Sequence, residues 1–162
     1  MDLFDPDLIP TLDGIVEANG IEKRELMLEI TESAYTREAD RVMEAVSDLR
    51  RGGYMIEMDD FGAGYSSLNM LNRIPMDALK LDMGFIRELG QNDRSTRIVK
   101  LMIDIANTLS VPVIAEGVEN SRQLGILRSM GCDMIQGYYF SPPVPPEDFE
   151  AFFGKEYGYD DK

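Results

Sequence analysis

The sequence predicts an α/β fold, an incomplete (β/α)8 TIM-type barrel with about five parallel strands present. Short apolar runs alternate with amphipathic helical stretches, which is the rhythm of a parallel sheet with helices packed on it. A polar residue stands at the C-terminal end of every run, where barrel sites are built. Length supplies the third observation: a complete eight-stranded barrel takes about 250 residues, and this chain has 162. The N-terminal strands of the barrel are therefore expected to be missing.

Five runs read as strands: Leu26 to Ile30, Tyr54 to Met58, Ala78 to Leu81, Val111 to Ala115 and Asp133 to Gln136. Helices are expected around them. The first opens with Asp5 as N-cap and Pro6 at the first helical position, stops at Asn19-Gly20, and carries Leu8, Leu12, Ile15 and Val16 on one face. A second, over 37–51, turns Val42, Val46 and Leu49 inward and ends at Gly52-Gly53. A third, over 95–109, presents Ile98, Leu101, Met102 and Ile105. A fourth runs from Ser121 to Met130 and stops at Gly131, and Pro145-Pro146 introduces a last short helix through Phe153. Residues 1–153 read as one domain and 154–162 as a polar C-terminal tail.

Composition narrows the chemistry. Thirty Asp and Glu against 16 Lys and Arg give a net charge of −14, which repels polyanions, so free nucleic acid is not an expected partner. No apolar run reaches the roughly 20 residues of a membrane span, and the start Met1-Asp2-Leu3-Phe4-Asp5 is the opposite of a signal peptide. Cys132 is the only cysteine, which fits a reducing compartment, so the chain reads as cytoplasmic. Histidine is absent, removing the commonest zinc ligand and general base.

The strand-end residues are Glu29, Asp59-Asp60, Lys80, Glu116 and Gln136. Any one alone is ordinarily a helix cap or a solvated charge. In a row on consecutive strands they imply an acidic cluster that needs compensating cations, because neighbouring carboxylates repel and lose hydration. Lys80 supplies one. An all-oxygen donor set favours Mg2+ or Mn2+ over zinc or copper.

Several segments resemble a known family. Glu29-Ile30-Thr31-Glu32-Ser33 looks like its acidic strand-end motif, and Asp59-Asp60-Phe61-Gly62-Ala63-Gly64-Tyr65-Ser66-Ser67-Leu68 like its double-aspartate loop. Leu79-Lys80-Leu81-Asp82, Ala115-Glu116-Gly117-Val118-Glu119 and Gly131-Cys132-Asp133-Met134-Ile135-Gln136-Gly137-Tyr138 follow in the family's order and spacing. The chain thus resembles the C-terminal two-thirds of an EAL-domain cyclic-di-GMP phosphodiesterase, from Asp2 to Phe153.

That resemblance implies a two-metal hydrolysis of cyclic-di-GMP to linear pGpG. It places Glu29 and Asp59 on one ion, Asp59 bridging to a second ion shared with Asp60, and Glu116 completing the second ion's shell, directly or through water. Lys80 would orient the nucleophilic water and stabilise charge on the phosphate, and Gln136 would position a water or ligand. Glu32 would anchor the loop after the double aspartate. Gly62 and Gly64 would permit its path, Tyr65, Ser66 and Ser67 would bond within it, and Phe61 would pack it. Glu119 would stand behind the direct ligands. Two departures are mild: Ala63 where Thr is common, and Met83-Gly84 where a basic residue and Ser are commoner. The family's Glu-Ala-Leu segment with its Glu ligand, a nearby phosphate-binding Arg and an Asn ligand are expected upstream of Met1. This chain is accordingly read as a truncated portion with little activity of its own.

Three other functions compete. A cyclic-di-GMP receptor without hydrolysis is the nearest, although the retained acids argue for catalysis. A Schiff-base lyase using Lys80 is disfavoured, since a lysine among acids keeps its proton. For a purely structural domain the acids would be a needless cost. Open strand edges next to missing strands predict a homodimer or other self-association.

Overall fold

The computed structural model describes residues 2–62 and 68–154. Ala63, Gly64, Tyr65, Ser66 and Ser67 lie outside the described residues, as does most of the predicted tail, from residue 155 on. Five parallel strands form one sheet in chain order: β1 (Met27–Thr31), β2 (Met55–Phe61), β3 (Ala78–Leu81), β4 (Val113–Ala115) and β5 (Met134–Ile135). Among the described residues β1 and β5 each pair on one side only.

All five apolar runs are strands, with ends displaced by a few residues for local reasons. Pro112 has no N–H to donate, so β4 begins after it, while its carbonyl accepts from Leu79 N–H at 2.9 Å. Asp133 stays out of β5 because its carboxylate accepts the Val113 N–H at 2.8 Å. Asp77 does the same two strands earlier, before β3, accepting from Ile56 N–H of β2 at 2.9 Å while paired to Arg50 at 2.6 Å. Each aspartate thus closes the free N–H at the start of the neighbouring strand.

Helix α1 (Leu8–Asn19) begins later than Asp5-Pro6 predicts. The Asp5 carboxylate accepts from Asp7 N–H and its carbonyl from Leu8 N–H, so this stretch is a turn before the helix. Leu12 and Val16 are buried, but Ile15 is 45% exposed, against its expected place on the inner face. Helix α3 (Ala39–Arg51) buries Val42, Val46 and Leu49 as its periodicity requires.

Three short helices had no sequence signal strong enough to predict them: α2 (Glu32–Arg37), α4 (Leu68–Arg73) and α5 (Met83–Arg87). At five or six residues each they are too short to show a 3.6-residue repeat. Helix α6 (Asp93–Thr108) is capped by the Asn92 side chain, which accepts from Arg94 and Ser95 N–H. Its buried seam is Ser95, Val99, Ile103 and Ala106; of the predicted Ile98, Leu101, Met102 and Ile105, Met102 and Ile105 are partly buried against the core. Leu101 is in fact 61% exposed. The helix is apolar over a wide arc, so that Met102 and Ile105 still pack against the core from its margin while Leu101 turns outward. Helix α7 (Ser121–Met130) has an Asn120–Gln123 capping box and ends at left-handed Gly131. The last helix, α8 (Pro146–Phe149), runs into a 3-10 turn at Glu150–Phe152.

Ile56, Met58, Leu79 and Leu81 of the central strands are fully buried, as are Val42, Val46, Val99, Ile103 and Leu127 of the helices. Side chains alternate along a strand, so Glu57 and Asp59 share the opposite face of β2. Register sets Glu29 beside Glu57 and Thr31 beside Asp59. Among the described residues no helix is long and apolar enough to cross a membrane.

Candidate active site

The Lys80 ammonium is the centre of the strand-end cluster. Its Nζ donates to Glu29 Oε1 at 3.1 Å and lies 3.3 Å from Asp59 Oδ1, 3.3 Å from Glu116 Oε2 and 3.6 Å from Glu57 Oε1. Four strands therefore contribute to one point: β1 through Glu29, β2 through Glu57 and Asp59, β3 through Lys80, and the end of β4 through Glu116. Burial alone would push Lys80 to give up its proton. The Glu29 hydrogen bond and the charges of Asp59 and Glu116 outweigh it, and the ammonium is held above its ordinary pKa.

Glu57 was not among the predicted site residues. It is 6% exposed, and its Oε1 accepts no hydrogen bond within normal reach, the Lys80 ammonium standing 3.6 Å away. Desolvation raises its pKa against the pull of Lys80, with Glu29 and Asp59 adding to the rise. A signal for it was in the sequence: it stands two residues before Asp59 inside an apolar run, hence on the same strand face.

Asp60 sits in the left-handed region at φ 55°, uncommon for a side chain with a Cβ, at an irregularity in the β2–β3 register between Met58 and Phe61. Its N–H donates to Asp59 Oδ1 at 2.8 Å. Asp60 is exposed to solvent, yet what burial it has, and then the charges of Asp59, Asp82 and Glu116, raise its pKa. The chain then turns at Gly62, whose N–H donates to Glu32 Oε2 at 2.9 Å. Glu32 is 2% exposed and Phe61 is buried beside the turn. Gly62 has φ 97°, and a Cβ there would lie 2.6 Å from Met102 Cε and 2.7 Å from Phe85 Cε2.

Gln136 and Glu119 are exposed and do not reach Lys80; with Glu116 they line a cleft of about 800 Å3 walled by Ile135, Tyr138 and Phe140. The backbone of Gln136 is fixed, its N–H donating to Ala115 O and its carbonyl accepting from Val118 N–H. Gly137 follows at φ 152°, where a Cβ would lie 2.3 Å from the Val118 backbone. Asp82 accepts from Gly84 N–H at 2.8 Å and caps α5. Of the predicted set, Glu29, Asp59, Lys80 and Glu116 are gathered at one point, Asp60 adjoins it, and Gln136 and Glu119 lie to one side. Gly64 is outside the described residues.

The donor chemistry suits a hard divalent ion: carboxylate oxygens only, from Glu29, Asp59, Asp60 and Glu116, without His or Cys. As they stand the acids lean on the ammonium, and among the described residues no three acidic or cysteine side chains gather at metal-ligand spacing. Glu29, Asp59, Asp60 and Glu116 are the residues that could close on an ion.

A parallel α/β sheet with carboxylates and one lysine converging at its strand ends has the layout of a barrel-type domain that builds its site at that end. The chain belongs to the EAL domain family, whose model matches residues 1–143. It is 39% identical over 153 residues to the cyclic di-GMP phosphodiesterase NbdA of Pseudomonas aeruginosa, covering 94% of this chain and 19% of that protein. It is 32% identical to the cyclic di-GMP phosphodiesterase PdeR of Escherichia coli, covering 93% and 23%. Among solved structures the PaMucR phosphodiesterase in complex with c-di-GMP superposes with TM-score 0.86 at 35% identity, over 91% of this chain and 60% of that one. Klebsiella pneumoniae BlrP1 in a manganese and cy-diGMP complex superposes at 0.79 with 32% identity, over 87% and 36%. The chain spans about a fifth of the length of the curated relatives it matches.

Proposed function

We propose that the cluster serves metal-dependent hydrolysis of cyclic-di-GMP to linear pGpG. The observation that carries this reading is the convergence of Glu29, Asp59 and Glu116 on Lys80 at the C-terminal strand ends, supported by the chain's similarity to cyclic di-GMP phosphodiesterases. Glu29, Asp59, Asp60 and Glu116 would hold Mg2+ or Mn2+, which would neutralise charge on the phosphate and acidify a bound water. Lys80 would place a fixed positive charge beside the scissile phosphate. Gln136 would orient a ligand or water from β5. Glu32 would hold the turn at Gly62, with Phe61 packed under it, and so fix where Asp59 and Asp60 stand. Glu119 would shape the cleft beside Glu116, and Gly64 would let the rest of the loop turn.

Residues 1–162 alone are proposed to turn over slowly, a reading supported by the chain matching only 60% and 36% of two solved relatives that hold cyclic-di-GMP. Cytoplasmic placement and self-association along the sheet edges belong to the same reading. Light scattering across a protein concentration series checks the latter, with mass expected to rise with concentration and with salt, because charge −14 opposes association.

The test is Mn2+ titration by calorimetry on the chain and on Asp59→Asn/Asp60→Asn, followed by cyclic-di-GMP with Mn2+ and chromatography for pGpG. Mn2+ heat and slow pGpG formation in the parent, both lost in the double variant, are expected. Equal Mn2+ binding by both sinks the site, and tight dinucleotide binding with no pGpG from any longer chain carrying it marks a receptor instead.

A further inference from the structure

Four carboxylates neutralise Lys80, but three of them have a second use. Glu29, Asp59 and Glu116 are the acids a divalent ion would claim on the reading above, and an ion that claims them brings its own positive charge next to the ammonium. Lys80 is only 7% exposed, so without a remaining counter-charge it would be expelled toward solvent. Glu57 is the one partner left. It sits one residue pair deeper on the same face of β2, opposite Glu29 in the register and facing Ala78 at the start of β3. It is the least exposed acid of the cluster, its side chain 7% exposed against 17% for Asp59, 39% for Glu116 and 55% for Glu29. Its Oε1 is buried without a hydrogen-bond partner and points at Nζ from 3.6 Å. A buried carboxylate oxygen with spare accepting capacity, below the layer that would coordinate, is placed to take up the ammonium when the upper acids turn away.

We propose that Glu57 is the positioning residue for Lys80: it holds the ammonium in the site when divalent ions occupy Glu29, Asp59 and Glu116. The inference rests on the metal reading of the site. In the ion-free chain Glu57 is one of four counter-charges and its loss is tolerated. In the ion-loaded chain it is the only one, and its loss frees Lys80. Glu57 therefore acts through Lys80 and touches neither phosphate nor ion.

The experiment compares the parent chain with Glu57→Gln, each with and without saturating Mg2+, and measures the rate at which acetic anhydride modifies the Lys80 amine, by peptide mass spectrometry. Gln keeps the shape of Glu and removes its charge. The parent should be slow in both conditions. Glu57→Gln should be slow without Mg2+ and at least about tenfold faster with it, the population shift expected on losing one charge-assisted contact. Equal rates for both proteins in Mg2+ would overturn the proposal. Fast modification of the variant already without Mg2+ would overturn it too, since a general packing role predicts that result. A calorimetric Mg2+ titration of the parent runs alongside: no uptake there sinks the metal reading and this inference together, whereas uptake with the wrong labelling pattern sinks the inference alone.

Discussion

The centre of the sheet and its flanks hold the same kinds of charge in different surroundings. On β2 and β3 the side chains of Glu57, Lys80 and Asp59 are 7%, 9% and 17% exposed; on the flanks those of Glu29 and Glu116 are 55% and 39% exposed. Central strands have neighbours on both sides and helices behind, so their charges are cut off from water and bound to one another. β1 is paired on one side only, and β4, though paired on both, is a short strand that ends before Glu116, so the charges of Glu29 and Glu116 keep much of their hydration. A carboxylate's energetic weight is thus set by its strand's position in the sheet. Charges at the centre should be costly to disturb, and those at the flanks cheap to remove.

The largest expected effect corrects any view of the flanks as loose throughout. Gly137→Ala sets a Cβ 2.3 Å from the Val118 backbone at a φ that side chains rarely adopt. Strain and overlap together should destabilise by about 3 kcal/mol or more. Urea unfolding measures it, and a loss below about 1 kcal/mol would show that the β4–β5 connection yields. Side chains here are open, whereas the backbone is locked.

Lys80→Met should come next, at about 3 kcal/mol near neutral pH, the low end for breaking a buried ion pair because Glu29 and Glu116 can rehydrate. The pH dependence follows from Glu57. Its folded-state pKa is already raised, and removing Lys80 raises it further. An acid with a raised folded pKa contributes stability that is present below its unfolded value and lost as pH rises through the folded one. The variant's deficit in melting temperature should therefore be smaller at pH 4 than at pH 7. A deficit that does not change with pH would mean that Glu57 is not the burdened group.

What was legible in the sequence follows the same division. All five strands were readable because buried parallel strands are apolar runs, and Glu29, Asp59, Lys80 and Glu116 were readable because they stand where those runs end. Glu57 was passed over because an acid inside an apolar run looks like an interruption unless the two-residue period is applied to it. The α6 face was read partly out of place because the helix is apolar over a wide arc: Met102 and Ile105 pack on the core from its margin, Leu101 faces solvent, and the fully buried seam runs through Val99, Ile103 and Ala106. Helices α2, α4 and α5 were too short to carry a period. The left-handed Asp60 left no trace in composition, since only the register slip against β3 demands it.

At the other end of β2, Tyr54 tests whether central burial matters away from the cluster. Its hydroxyl donates to Asp13 Oδ1 at 2.6 Å, and burial, then this bond, pushes its pKa up to about 12. Tyr54→Phe should cost about 1 kcal/mol at pH 8. Because the phenol ionises more easily in the unfolded chain, the parent loses stability as pH rises from the ordinary 10.0 to about 12. The Phe variant lacks that loss, so the difference in melting temperature should narrow over this window. A constant difference would show that the phenol's burial has no linkage to folding.

The smallest effect belongs to Glu116→Gln, and it is the sharpest check on the comparison. Glu116 attracts Lys80 from 3.3 Å, yet its charge also bears on Asp60 and disfavours that residue's ionised form. Its own side chain is 39% exposed, so water screens both interactions, and one attraction and one repulsion are removed together. Stability should change by no more than about 0.5 kcal/mol in either direction, and raising the salt concentration should leave that difference nearly unchanged because the two terms are screened alike. On the proposed function the same substitution weakens Mn2+ binding, so stability and ion affinity should part company at this residue. At Lys80 the cost falls on folding itself. Paired melts and Mn2+ titrations of the parent and Glu116→Gln read both quantities. A loss of stability approaching that of Lys80→Met would mean that the flank acid is as deeply coupled as the central ones, and that position in the sheet does not set the weight of a charge here.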